Sequence, residues 1–217
     1  MFTKKLPTKL ILLVEVLQMK KFLIGILAAA IIIFQTPIIF ATPNFEIKEE
    51  IYKWIQSTPR GNYYFNYQVC GYKIKDDDTL DLNILEIPTI ITYDNIQIDD
   101  VTQKRRWRMQ STRGYNNLIG RADYLEFNFA EGTVQIVRRA DLDHTFTELD
   151  HEDAKEPIKL SEIAEKDVSC KFYREMLKWV QENNEWVIKR SRGKLNAKDS
   201  KLKPSDMPIF KVKLPGK

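Results

Sequence analysis

The sequence predicts an α+β domain in which an N-terminal amphipathic helix packs on an antiparallel sheet of about five to seven strands. Apolar residues recur at helical intervals where the globular part begins, and this spacing gives way to strand-like alternation from Asn62 onward. A second helical pattern, from Lys171 to Gln181, adds one or two helices near the C-terminus, although residues 168–180 would also suit a strand that pairs with residues 186–188 in a hairpin. The N-terminal helix is predicted from the spacing of four apolar residues, Ile47, Ile51, Trp54 and Ile55.

An apolar segment ahead of this domain resembles an export signal in its composition. Lys20 and Lys21 lead into the apolar run Phe22–Phe34, and Ala41 is a suitable last residue before cleavage. The sequence therefore predicts a signal peptide over residues 19–41 and an exported protein, periplasmic or extracellular.

Two alternatives to a cleaved signal stay open. No residue from Phe22 to Phe45 is charged, so an uncleaved helix over residues 22–40 is long enough to anchor the chain in a bilayer. A buried core helix is the other alternative. Signal peptides begin at the translation start, so residues 1–18 are interpreted as a misassigned extension before Met19, or else as a longer N-terminal region.

Residues 42–217 are then a single globular domain that is close to neutral. The whole chain holds 34 basic and 30 acidic residues. The first 41 residues contain five of the lysines and one glutamate, which leaves 29 basic and 29 acidic residues in the domain. The excess of positive charge thus belongs to the targeting segment, and the composition excludes nucleic acid as the expected partner.

The strands are predicted from alternating apolar residues. One extends over residues 63–74 with a bulge at Gly71, and others over residues 80–84 and 87–93, with Pro88 at a kink or an edge. A hairpin with a turn at residues 130–132 is the clearest pairing in the chain. Residues 186–189 and 209–214 are interpreted as further strands.

The segment between Ile96 and Met109 is predicted to be extended as well. In its basic part, alternation places Trp107 and Met109 inward and Arg106 and Arg108 outward. Basic residues interleaved with an aromatic side chain can bind phosphate, but a solvated strand face is the preferred interpretation in a neutral exported domain.

Both histidines lie in an acidic segment between Asp141 and Glu156. Imidazole and carboxylate groups suit a divalent transition metal such as zinc, so Asp143, His144, Asp150 and His151 form a candidate metal site. The two histidines are seven residues apart, which matches no established ligand motif. An ordinary charged loop without a metal or other cofactor is the preferred interpretation.

The two cysteines, Cys70 and Cys170, predict a disulfide if the protein is exported. A bridge that closes a loop of about 100 residues stabilises a fold by roughly 4 to 5 kcal/mol in the chain-entropy model. The alternative is two buried free thiols.

No catalytic motif emerges from the sequence. It has no nucleophile elbow and no phosphate-binding glycine loop. We therefore expect a non-catalytic binding protein of the cell envelope, whose partner is another envelope protein or a small ligand. A metal-dependent hydrolase that uses the histidine segment is the alternative.

Overall fold

The computed structural model describes residues Glu46–Gly216. The signal peptide, the membrane anchor and the N-terminal extension predicted for residues 1–41 lie outside the described residues. Within Glu46–Gly216, no helix has both the length and the apolar character needed to cross a membrane.

A mainly antiparallel sheet of eight strands is the centre of the fold. The strands are β1 (Tyr52–Thr58), β2 (Gly61–Asn66), β3 (Gly71–Ile74), β4 (Leu80–Tyr93), β5 (Leu118–Asn128), β6 (Thr133–Asp143), β7 (Glu148–Glu152) and β8 (Ile158–Lys159). Their order in the sheet is β1-β2-β4-β5-β6-β7, while β3 pairs with the first half of β4 and β8 pairs with β6. The long strand β4 therefore spans two partners, β3 at one end and β2 at the other.

Four α-helices accompany the sheet among the described residues. They are α1 (Asn95–Trp107), α2 (Val168–Glu182), α3 (Asn184–Arg190) and α4 (Pro208–Lys211). Short 3-10 turns occur at Tyr115–Asn117, Leu160–Glu162, Asp199–Lys201 and Pro204–Asp206.

The main core lies between one face of the sheet and the C-terminal helices. The fully buried strand residues include Phe65, Leu85, Ile87, Leu125 and Phe127, and they pack against Met176, Leu177, Val180, Val187 and Ile209. Aromatic rings reinforce this layer through edge contacts of Phe65 with Trp179 and of Phe127 with Tyr173. Each fully buried side chain of this kind stabilises the fold by about 1.5 to 3 kcal/mol, so α2 is held firmly on the sheet.

The predicted N-terminal helix is wrong, because Tyr52–Thr58 is the strand β1, and the described residues ahead of it, 46–51, contain a turn and no helix. Two of the residues that suggested a helical stripe have unlike environments: Trp54 is 56% exposed, whereas Ile55 packs against the core. Aromatic and β-branched side chains favour a strand, and pairing with β2 across the turn at residues 59–60 decides between the two patterns. The sheet also has eight strands instead of five to seven.

The extended segment predicted between Ile96 and Met109 is also wrong, because it contains α1. The Asp94 side chain caps this helix by accepting a hydrogen bond from the Gln97 amide at 2.7 Å. Trp107 and Met109 are 77% and 95% exposed instead of inward-facing. No residue of α1 is buried, so its sequence lacks the apolar periodicity from which an amphipathic helix is predicted.

In the C-terminal half of the chain, some of the predicted elements are confirmed and others are wrong. The hairpin is confirmed as β5 and β6, and the helix predicted from Lys171 to Gln181 is confirmed as α2. The strand predicted at residues 186–189 is wrong, because it belongs to α3, and residues 209–214 contain the end of α4 instead of an edge strand.

Candidate functional site

A cavity of about 350 Å³ lies between the first turn of α2 and the sheet. We call it the α2 cavity. Its polar lining comes from two strands and from the start of the helix, while aromatic and aliphatic side chains complete the wall. The lining residues are Tyr63, Thr89, Ile91, Arg121, Asp123, Leu125, Ile136, Arg139, Asp167, Val168, Ser169, Phe172 and Tyr173.

Strand alternation places the charged residues of β5 in this cavity. Side chains two residues apart lie on the same face of a strand, so Arg121 and Asp123 share the face of buried Leu125 and Phe127. Arg139 on β6 lies directly opposite Asp123 in the register. Three charged side chains thus occupy the face that elsewhere forms the core.

Asp123 and Arg139 form a bidentate ion pair. The Nε and Nη2 atoms of Arg139 donate hydrogen bonds of 2.6 and 2.9 Å to the two carboxylate oxygens of Asp123. The two side chains are only 6% and 17% exposed. Burial acts to lower the pKa of Arg139, but the hydrogen bond and the charge of Asp123 outweigh it, and the pKa is raised. Arg139 therefore stays charged.

Arg121 is the guanidinium whose donors are free for a ligand. Its Nε lies 3.2 Å from an Asp123 oxygen, yet this buried atom has no hydrogen-bond partner. Its other nitrogens form no hydrogen bond with any part of the chain that the structure describes. Since Arg139 already uses both oxygens of Asp123, the second guanidinium is left with its charge only partly balanced.

Two tyrosines add further donors to the cavity wall. The hydroxyl groups of Tyr63 and Tyr173 form no hydrogen bond with other residues in the range Glu46–Gly216. Burial, and next the charge of Asp123, raises the pKa of Tyr173 to about 12. The hydroxyl of Tyr173 is therefore protonated at neutral pH and can donate.

The first turn of α2 closes one side of the cavity. The side-chain amide of Gln56 donates a 2.8 Å hydrogen bond to the carbonyl oxygen of Val168, which fixes the start of the helix against β1. Asp167 is the N-cap residue, but its side chain accepts no capping bond. Its carboxylate lines the cavity beside the amide groups of the first turn, which carry partial positive charge.

The four residues of the predicted metal site do not converge in the structure. Asp143 accepts three hydrogen bonds within its own turn, from the amide and hydroxyl of Thr145 and from the amide of Thr147. Asp150 pairs with Arg105 at 2.7 Å. No cluster of three or more histidine, cysteine or acidic ligands occurs among residues 46–216.

The two histidines have separate surroundings. His151 lies 2.8 Å from a carboxylate oxygen of Glu148, and the buried Nδ1 of His144 has no hydrogen-bond partner. The metal-dependent hydrolase therefore remains a prediction from the sequence.

Cys70 and Cys170 are free, buried thiols in the structure. Cys170 lies in the first turn of α2, while Cys70 precedes Gly71, which contacts Ser191 just beyond α3. The structure thus shows no bond between the two sulfur atoms, and a disulfide would require their Cα atoms to lie within about 7 Å. The bridge stays a prediction that thiol counting can test.

The sequence analysis did not single out Arg121, Asp123 or Arg139. The signal was present in part, because extending the alternation of Leu125 and Phe127 backwards places Asp123 and Arg121 inward. Arg139 could not be found this way, since an irregularity in the β5–β6 register at Tyr124 and Leu125 changes the phase of β6.

Comparison of the chain with protein-family models, with curated proteins and with solved structures gives no match.

Proposed function

We propose that this chain is a non-catalytic binding protein of the cell envelope that takes a small anionic ligand, with a carboxylate or a phosphate group, in the α2 cavity. The observation that carries the proposal is the partly buried guanidinium of Arg121, whose donors form no hydrogen bond within the described chain although its Nε lies 3.2 Å from an oxygen of Asp123. Binding sites commonly place a few such polar groups in an otherwise apolar cavity.

The polarity of the site favours an anion over a cation. The free donors of the wall are the Arg121 guanidinium, the Tyr63 and Tyr173 hydroxyls, and the first-turn amides of α2. Against them stands one acidic residue without an ion pair among the described residues, Asp167 at the start of α2. Asp123 is occupied by Arg139, so its carboxylate is not available to attract a cation. Guanidinium groups match carboxylate and phosphate geometry with two parallel hydrogen bonds.

The size and the apolar part of the cavity limit the ligand. A volume of about 350 Å³ is at the small end of ligand sites. Phe172 and Leu125 offer apolar contact beside the charged groups, so a small acid with an apolar or aromatic body fits this wall.

We propose binding instead of catalysis because the lining residues of the α2 cavity provide hydrogen-bond donors but no pair of nucleophile and base. Nucleophilic catalysis needs a nucleophile with an adjacent base, and the lining of the α2 cavity contains neither histidine nor cysteine. Positioned donors and a satisfied ion pair are sufficient for recognition.

The test is calorimetric titration with inorganic phosphate and with benzoate. We expect at least one probe to bind wild type and to bind the Arg121→Gln variant at least tenfold more weakly. Arg138→Gln is the matched control, because Arg138 neighbours Arg139 in sequence but pairs with Glu148 outside the cavity. Equal binding to wild type and Arg121→Gln, or no binding of either probe to wild type, would overturn the proposal.

A further inference from the structure

The C-terminal part of the chain carries an excess of positive charge that forms no ion pair with the described residues. Between residues 189 and 216 there are nine lysines and arginines against two aspartates, Asp199 and Asp206. The nine are Lys189, Arg190, Arg192, Lys194, Lys198, Lys201, Lys203, Lys211 and Lys213. Because residues 42–217 are neutral as a whole, the remainder of the domain carries the balancing negative charge.

Ion pairing is distributed just as unevenly. The structure describes thirteen ion pairs, and in every one the basic partner precedes residue 189. None of the nine C-terminal cations has an acidic partner among the described residues. A field of unpaired cations attracts an anionic surface.

Part of this charge surrounds an open groove of about 710 Å³. We call it the basic groove; residues 68–74 form one wall and residues 189–192 the other. Lys189, Arg190 and Arg192 line it, and Glu86 is its single acidic residue.

Two large aliphatic side chains lie exposed among these cations. Val69 is 59% exposed and Ile74 is 46% exposed, and both line the basic groove. Cations beside exposed apolar groups are typical of protein surfaces that lie on a membrane.

The start of the described chain lies beside the same groove. The Gln68 side-chain amide donates a 2.9 Å hydrogen bond to the Glu50 carbonyl, and Arg190 donates two hydrogen bonds, of 3.1 and 2.6 Å, to the Gln68 carbonyl. Residue 50 is only five positions beyond the uncharged segment Phe22–Phe45. Glu50, near the start of the described residues, is thus held at the edge of the basic groove.

We propose that the basic groove docks on the surface of a bilayer that contains anionic lipids. Its cations contact the lipid phosphates, and Val69 and Ile74 reach the apolar boundary. Single-stranded nucleic acid fits less well, because sites for it stack bases on aromatic side chains, and the exposed apolar residues here are aliphatic. None of these residues lines the α2 cavity, so this proposal and the proposed function can fail independently.

The test uses the full chain and two kinds of vesicle, phosphatidylcholine alone and an equal mixture with phosphatidylglycerol. The variant is Lys189→Gln with Arg192→Ala, which leaves the Arg190 hydrogen bonds intact. The matched control is Lys166→Gln with Lys171→Gln, which removes two exposed positive charges at the other end of α2. Heparin serves as a polyanion without lipid.

We expect tighter binding to the phosphatidylglycerol vesicles and weakening by salt. Each removed charge should lower the affinity about fivefold, while the control pair binds like wild type. Equal binding to both vesicles, or an unaffected Lys189→Gln, Arg192→Ala variant, would overturn the proposal. Tighter binding to heparin than to the anionic vesicles through the same residues would also overturn it, in favour of a polyanionic chain.

Discussion

Asp123 on β5 and Arg139 on β6 are directly opposed in the sheet, and their side chains form two hydrogen bonds, of 2.6 and 2.9 Å, on the face covered by α2. Removing one partner of such a buried pair leaves an uncompensated charge. We expect Asp123→Leu to lower the free energy of unfolding by about 3 kcal/mol, measured by urea denaturation.

The control for this prediction is the double variant Asp123→Leu with Arg139→Met. Replacing both partners by apolar groups removes the unpaired charge of Arg139, while the partly exposed Arg121 still loses its nearby carboxylate, so the double variant should recover part of the lost stability. Additive losses from the two single changes would show that the ion pair is not a coupled unit.

The stability of the protein should fall at alkaline pH because Cys70 is buried. Burial raises the pKa of its thiol from 9.0 to about 12, so the folded state favours the neutral thiol. A pKa that is raised on folding contributes stability that is complete below pH 9.0 and is lost as the pH rises toward 12. Tyr93 and Tyr173 add to this trend, because burial raises the pKa of each to about 12.

The measurement is urea unfolding at a series of pH values above 9.0, the ordinary pKa of the thiol. The contribution of Cys70 reaches about 4 kcal/mol when the thiol is fully ionised in the unfolded chain only. Cys70→Ala should therefore show a shallower loss of stability with pH than wild type. Parallel pH profiles for the two proteins would contradict the assignment.

Counting thiols distinguishes the disulfide predicted from sequence from the free cysteines of the structure. The structure has Cys70 and Cys170 buried and unpaired, so neither should react with a thiol reagent in the native protein, and both should react in denaturant. The protein must be purified without reductant. If no thiol reacts in denaturant, the two cysteines form a bridge, and the unpaired state of the structure is contradicted.

Arg105 is the residue that holds α1 against the sheet. Its guanidinium pairs with Asp150 at 2.7 Å, donates to the Ser111 carbonyl at 2.9 Å and lies 4.3 Å from the centre of the Tyr115 ring. Since no residue of α1 is fully buried, these contacts add to the half-buried Ile98 and Val101. We expect Arg105→Ala to lower the free energy of unfolding by about 1 to 2 kcal/mol.

Two measurements check the role of Arg105. Amide hydrogen exchange in α1 should accelerate more than exchange in β4 or α2, because the change releases one helix. The hydrogen bond from Arg105 lowers the pKa of Asp150, so Arg105→Ala should raise that pKa toward its ordinary value. Lys104→Ala is the control, since its exposed pair with Asp100 is worth less than about 0.5 kcal/mol.

Whether an element of the fold could be predicted from the sequence depends on whether its apolar pattern reflects burial in the core. Alternation revealed β5 and β6 because their inward residues, such as Leu125, Phe127 and Val134, are buried under α2. It failed for α1, which buries nothing, and for β1, whose apolar spacing is compatible with either element. Pairing partners, which are distant in sequence, decide such cases.

The candidate site was hidden for a related reason. Arg121 and Arg139 are eighteen residues apart, and only the antiparallel register and its irregularity bring them to one cavity. The histidine segment attracted attention because its ligand-type residues are close in sequence, yet β6, the turn and β7 direct Asp143 and Asp150 to different partners.

Arg192 has a backbone conformation that favours glycine. Its replacement can therefore separate the effect of backbone strain on stability from the effect of its charge on vesicle binding. It follows Ser191, the C-cap of α3, with a φ of 58°, and glycine is the preferred residue for a left-handed conformation at this position. Arg192→Gly should raise the free energy of unfolding by about 0.5 to 1 kcal/mol. Arg192→Ala loses the same charge but keeps the strain, so its stability should match wild type. If the charge of Arg192 contributes to vesicle binding, both variants should bind anionic vesicles more weakly than wild type, even though Arg192→Gly is more stable. If the charge does not contribute, vesicle binding is unchanged in both variants.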